Sequence, residues 1–261
     1  MKNTRGGTVL SAIFLPHNFR SRNPFHIFNF SFCPVFLDMS KLYEVIKKAV
    51  SDERADDEQA LIQIIESELA HSKDTGKNFC LLRCHVPVSE LKLAYTPEVS
   101  VSGYYVFDIS NLSNLNGTEC SVRRVDKPEM LEDILRMDLE HDEESLGRDF
   151  CTRRIYRRKD IYLSDGGVDS YICYNNAGEA VGSCDLFIYG DTAKIEDFSV
   201  SPQHQRKGYG TSLLKALIET AAARDVTAVH LETDEDDTAK EMYKKCGFYK
   251  AGEFTDLFFM L

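Results

Sequence analysis

Residues 200–214 read V-S-P-Q-H-Q-R-K-G-Y-G-T-S-L-L. A short apolar run ends at Val200, a polar loop carries Gly208 and Gly210, and an amphipathic helix begins beyond them. A strand–loop–helix unit of this kind favours an anion at the helix entrance. The first N–H groups of a helix have no internal partner, and the macrodipole adds partial positive charge. Glycine lets the backbone approach a phosphate with no Cβ in the way. The stretch therefore reads as a holder of a cofactor pyrophosphate. It is not a P-loop, because no G-x-x-x-x-G-K-[ST] is present. It is not a dinucleotide fingerprint either, since the third glycine position falls on Leu213.

Working outward, Ser170–Tyr174, Ala180–Ile188 and Thr192–Val200 read as strands. The turns Asn175-Asn-Ala-Gly178 and Gly190-Asp191 join them, which predicts an antiparallel meander. After the loop, a helix over about Thr211–Arg224 buries Leu213, Leu214, Leu217 and Ala221. Val226–Thr233 is a strand that one crossover helix can set parallel to Thr192–Val200. A last helix, Asp234–Lys245, stops at Gly247, and Phe248–Leu261 closes the sheet. Upstream, Glu119–Val125 is a strand, and Asp126-Lys-Pro128 starts a helix whose apolar face is Leu131, Ile134, Leu135 and Leu139. A further helix over about Glu144–Lys159 ends in Arg153, Arg154, Arg157, Arg158 and Lys159. This basic end is either a solvated face or a surface for a phosphate or acidic acceptor.

The N-terminal part has a different character. Residues 1–38 hold seven of the sixteen Phe, four basic residues and a single acid, Asp38. They read as an extension outside the fold: upstream sequence before a start at Met39, a transit or signal peptide, or a structured arm. Residues 39–117 form a small α+β unit. Helices begin at Ser40 and Ser51, strands cover Phe79–Val86 and Val99–Ile109, and the loop Ser110–Gly117 marks the boundary to a domain over 118–261.

A net charge of −11 argues against a nucleic-acid or anionic-membrane partner. No apolar run reaches the roughly 20 residues of a spanning helix. The eight cysteines are scattered with no C-x-x-C pair, which fits reduced thiols in a cytoplasmic protein better than a metal site.

Together, Gln205-Arg-Lys-Gly208-Tyr-Gly210 after Val200-Ser-Pro202, and Ala239-x-x-x-Tyr243 followed by Cys246-Gly247-Phe248, resemble the two motifs of the GCN5-related N-acetyltransferase (GNAT) family. The resemblance covers about Glu119–Leu261. It implies an α/β (α+β) fold of GNAT type, a mixed, mostly antiparallel twisted sheet with flanking helices, and acetyl-CoA as cosubstrate with no metal. It implies that the N–H groups of Gln205, Arg206, Lys207, Gly208, Tyr209, Gly210 and Thr211 grip the pyrophosphate. Main-chain groups of Phe198, Ser199 and Val200 pair with the pantetheine, in a slot where this strand and Val226–Thr233 splay apart. One N–H near Phe198 polarises the acetyl carbonyl. Tyr243 is the expected acid for the departing thiolate.

The expected base is Glu196 or, failing that, Asp197. Side chains alternate along a strand, so only one of the two should face the acceptor. Water taking the proton is the other reading. Many members carry Asn where this chain has Asp236, a position that helps to hold the cofactor. The cluster Asp234-Glu-Asp-Asp237 either stabilises a helix N-terminus or favours a cationic acceptor. Pairing through sheet edges in the family makes a homodimer an expectation. The function expected is acetyl-CoA-dependent N-acetyl transfer to an amine of a small molecule or protein; the alternative is a catalytically inactive module that binds acetyl-CoA or docks a partner.

Overall fold

The turn chemistry of the meander sets the middle of the molecule. Asn175 accepts from the amides of Ala177 and Glu179 through Oδ1, at 2.9 and 3.0 Å, and closes the first hairpin. The structure, a computed structural model, describes residues 10–13, 57–84, 93–164 and 167–261. Its elements in chain order are β1 (Leu10–Ile13), α1 (Asp57–Asp74), β2 (Phe79–Cys84), β3 (Glu98–Asp108), β4 (Ser121–Arg124), α2 (Met130–Leu146), α3 (Arg148–Arg157) and the single turn α4 (Lys159–Tyr162). Then follow β5 (Val168–Tyr174), β6 (Ala180–Tyr189), β7 (Thr192–Val200), α5 (Tyr209–Ala222), β8 (Ala228–Asp234), α6 (Ala239–Lys245) and β9 (Tyr249–Met260).

The described strands make one sheet in the order β1-β2-β9-β3-β8-β7-β6-β5-β4. Every neighbouring pair is antiparallel except β7 and β8, whose crossover helix α5 makes them parallel. This is the mixed, mostly antiparallel sheet with flanking helices that the sequence predicts. The boundary placed at residue 117 does not divide the sheet. β3 lies between β9 and β8, with Tyr105 opposite Leu231 on one side and Lys250 on the other. The chain before 117 thus supplies inner strands of the same sheet. Of residues 1–38, the described Leu10–Ile13 pair with β2; the rest of that extension and the helix expected from Ser40 lie outside the described residues. The helix expected over Glu144–Lys159 is split, since the chain turns at Gly147 between α2 and α3.

Three apolar clusters hold the layers. One face of the central strands packs on α5 and α6 through Leu213, Leu214, Leu217, Ile195, Leu231 and Phe248. The opposite face of β5 and β6 packs on α2, α3 and α4 through Leu131, Ile134, Ile155 and Ile172. α1 covers β2 and β9 through Ile65, Leu69, Leu82 and Leu257. Each such aliphatic side chain contributes roughly 1.5–3 kcal/mol when fully buried.

Candidate active site

β7 and β8 pair only from Thr192–Ile195 to Ala228–Leu231. Both strands run on, to Val200 and Asp234, with no pairing between them. The sheet therefore forks beyond Ile195. β7 stays on β6 to its end, but the register slips: Glu196 is opposite Asp185, while Ser199 is opposite Ser183. β7 thus carries one extra residue, a bulge at Asp197–Phe198, and Asp197 adopts φ +48°. The bulge corrects the expectation that Glu196 and Asp197 face opposite ways. Both line the same cleft, of about 1390 Å³, that opens at the fork.

One half of the cleft is built by the loop before α5. Gly208 caps the helix at φ +89°, a conformation that glycine adopts without strain. The Gln205 side chain folds back under the loop and donates to the Val200 carbonyl at 3.1 Å. Ser212 is bound to the Gly208 carbonyl at 3.0 Å, while the amides of residues 206–211 have no acceptor among the described residues. A Cβ on Gly210 would stand 3.0 Å from Met242 Sδ and 3.4 Å from the Phe198 ring, so the helix packs closely on both. Gln205, Arg206, Gly210, Thr211 and the β7 residues Phe198, Ser199 and Val200 border the cleft. The side chains of Lys207 and Tyr209 do not, and Tyr209 turns to His204, with ring centroids 6.0 Å apart. Asp236 is exposed and outside the lining; its neighbours Asp234 and Asp237 border the cleft instead.

Tyr243 lies buried on α6 between Phe198 and Phe248, each ring 5.9 Å away in an edge-on arrangement. Burial raises its phenol well above the ordinary value, with Cys184 and Asp237 adding to the effect, so the hydroxyl stays protonated. Tyr243 borders the cleft beside Phe198 of β7.

The other half is lined by charges on the face of the sheet away from α5. Arg83 on β2 forks onto Asp256 of β9, at 2.9 and 3.0 Å, and reaches Glu232 of β8 at 2.9 Å. Lys194 on β7 binds Glu232 at 3.0 Å and also Glu196. Burial opposes the charge on Glu232, but Lys194 and Arg83 together bring its carboxyl down to about 2. Burial raises Glu196 despite Lys194. Beyond Glu196, Asp197 is bound by Arg158 at the end of α3. Arg158 also donates to the Tyr162 hydroxyl at 3.1 Å, and that hydroxyl donates to Asp185 at 2.6 Å. Burial and the charge of Asp197 raise Asp185 to about 7, against the pull of Arg158 and Tyr162.

The basic end of the third helix thus has two faces. Arg154 and Arg158, four apart, turn inward, Arg154 onto Asp138 and Asp142; Arg153 and Arg157 are exposed. Sequence reasoning singled out Arg158 within its run but missed Arg83, Tyr162, Asp185, Lys194, Glu232 and Asp256. A polar residue at an inward position of a strand was the one available signal, as in S-C-D-L at 183–186.

A family model described as "Acetyltransferase (GNAT) family" matches residues 129–248. The chain carries a GNAT domain. Over 109 residues, 40% of the chain, it is 31% identical to "Uncharacterized N-acetyltransferase CgeE" of Bacillus subtilis (strain 168), covering 42% of that protein. Over 117 residues, 43% of the chain, it is 33% identical to a streptothricin acetyltransferase of Escherichia coli, covering 66% of it. The matched stretch is thus shorter than two thirds of these relatives. Among solved structures, a functionally unknown conserved protein from Staphylococcus epidermidis ATCC 12228 superposes with a TM-score of 0.54 at 19% identity, over 74% of this chain and 66% of that one. At that identity the likeness concerns the fold alone. Among the described residues no group of His, Cys, Asp and Glu is arranged for a metal, and no helix is long and apolar enough to cross a membrane. The described cysteines are free thiols.

Proposed function

We propose that the chain is an acetyl-CoA-dependent N-acetyltransferase whose acceptor is a cationic amine. The observation that carries this reading is the fork beyond Ile195 and Leu231, with the unpaired amides of residues 206–211 at its edge. Those donors at a helix entrance fit a pyrophosphate, and the free edge of Phe198–Val200 fits an extended amide-bearing arm. When bound, acetyl-CoA supplies the acetyl group as a thioester. The bulge takes backbone groups at Asp197–Phe198 out of the β6–β7 ladder, which leaves the Phe198 amide as the donor to the carbonyl that is attacked. Tyr243, kept protonated by burial, is the proton donor to the departing sulfur.

The acceptor class rests on charge balance. In the half away from the loop, Arg83, Lys194 and Arg158 are shared among five carboxylates, Asp185, Glu196, Asp197, Glu232 and Asp256. Surplus negative charge in a walled cleft attracts a cation and repels an acid. Glu196 is tied down by Lys194 and buried, so it acts here as part of the wall.

Acetyl-CoA titration followed by melting temperature tests the donor, since a ligand bound to the folded state raises stability. Thiol release over spermidine, a lysine-containing peptide, a neutral aromatic amine and glutamate tests the acceptor. The cationic amines should be turned over and glutamate should not. Stabilisation by acetyl-CoA without thiol release over any amine would instead identify a binding module that has lost transfer. No stabilisation at many-fold excess would remove the donor assignment.

A further inference from the structure

Asp185 sits in the middle of β6, only 4% exposed, and borders the cleft together with Tyr162, Arg158 and Asp197. A buried carboxylate costs several kcal/mol unless something satisfies it. Here the Tyr162 hydroxyl donates to its Oδ2 at 2.6 Å, and Arg158 Nη1 stands 3.9 Å from the same oxygen. The groups that face Asp185 come from every element around it: Ser170 from β5, Glu196 and Asp197 from β7, Arg158 from the end of α3 and Tyr162 from α4. The carboxylates expected to serve as base are both held by cations, Glu196 by Lys194 and Asp197 by Arg158. Among these three, the one whose hydrogen bond comes from a neutral hydroxyl is Asp185. A hydroxyl can pass a proton on, whereas a guanidinium that stays charged cannot.

We propose that Tyr162 and Asp185 form a two-member relay that takes the proton released by the acceptor amine. The proposal rests on the acetyl-transfer reading above. An N–H bond of the acceptor ammonium breaks and its proton goes to Tyr162 Oη, while the hydroxyl proton of Tyr162 passes to Asp185 Oδ2. The nitrogen keeps the electron pair and uses it to form the N–C bond to the acetyl carbon. The C–S bond then breaks as the carbonyl re-forms, the sulfur takes the hydroxyl proton of Tyr243, and the second N–H proton leaves the nitrogen to restore Tyr243, so that one proton in all ends on Asp185. Arg158, bound to both Asp197 and Tyr162, positions the phenol and stays charged throughout. The position of Asp185 near 7 suits this task, because a base works best when its own titration lies near the operating pH.

The test is the pH profile of thiol release with spermidine, and with acetyl-CoA alone, for the full chain and for Asp185→Asn and Tyr162→Phe. The native chain should show a rising limb centred at about 7. Both variants should lose that limb and slow by about 100-fold, a typical contribution of general base catalysis. Acetyl-CoA affinity by calorimetry should be unchanged in both, which also reports folding. If Asp185→Asn does not fold, Tyr162→Phe carries the same test. A native chain that turns over, with variants that keep both rate and limb, overturns the relay and leaves the acetyl-transfer reading intact. A native chain that binds acetyl-CoA and releases no thiol over any amine or water overturns both.

Discussion

Ile195 and Leu231 are the last two residues to pair between β7 and β8. Both are buried, packed in the core beneath α5 and α6. The fork therefore opens from a fixed hinge of apolar contacts. The next residues, Glu196 and Glu232, are pulled toward a shared lysine, Lys194, which lies back within the paired region. The ion triad closes the base of the fork on one face while apolar packing closes it on the other.

The loop at the helix entrance gives the first prediction. Gly210→Ala places a methyl group 3.0 Å from Met242 Sδ and 3.4 Å from the Phe198 ring. The Phe198 distance is ordinary contact, so the crowding falls on Met242, which borders the cleft and must shift within it. The substitution should weaken acetyl-CoA by about 10-fold in calorimetry, near 1.4 kcal/mol, with little loss of melting temperature. An unchanged affinity would show that the close approach of α5 to Met242 does not matter to the donor.

Tyr243→Phe keeps the ring between Phe198 and Phe248 and removes only the hydroxyl. Melting temperature and acetyl-CoA affinity should be preserved, and turnover should fall by about 100-fold. Because burial raises the phenol, the native rate should not decline as the solution passes the ordinary tyrosine range. A variant as active as the native chain would remove Tyr243 as the acid.

Glu232 predicts how the fold responds to acid. Its carboxyl lies at about 2 when folded against 4.5 as the ordinary value. Its contribution is fully present above 4.5 and is lost as pH falls through about 2. Glu232→Gln should abolish that part of the acid dependence. It should also destabilise the chain near neutrality by about 3–5 kcal/mol, because Arg83 and Lys194 stay buried with one partner fewer. Denaturant unfolding across this pH range measures both effects.

Asp185 predicts the opposite slope. Its folded value, raised to about 7, lies above the ordinary 3.8. Ionising it costs the folded state nothing below 3.8; the cost grows between 3.8 and about 7 and is complete above that. Asp185→Asn should therefore gain stability over the native chain at pH 8 and lose that advantage toward pH 4. Melting curves of the two chains at both pH values decide it, and a constant difference would mean that Asp185 is not the titrating group.

Much of the fold was legible because its elements obey local rules. Turns at Asn175–Gly178 and Gly190–Asp191 fix the meander, and the single crossover helix fixes the parallel pair. The placement of β3 was not legible, because a strand's neighbours in a sheet depend on pairings distant in sequence. Asp108 opposite Ala228 is such a pairing. The bulge at Asp197 was missed for a related reason: strict alternation was assumed, and a one-residue slip against Asp185 and Ser183 reverses it. Arg83 and Asp256, 173 positions apart, meet as cross-strand partners, and nothing in either segment announces the other.

The continuity of the sheet through β2, β9 and β3 spreads the cleft over two stretches of the gene. The loop half is encoded by one uninterrupted run, from β7 to the start of α5, inside the span that the family model matches. The charged half mixes Arg158, Asp185, Lys194, Glu196, Asp197 and Glu232 from inside that span with Arg83 and Asp256 from outside it. A family signature can therefore persist while the strands that complete the charged half change. Two chains with the same loop at 205–211 and different residues at 83 and 256 would match the family model alike and differ in the ion pairs that Glu232 makes beneath the cleft.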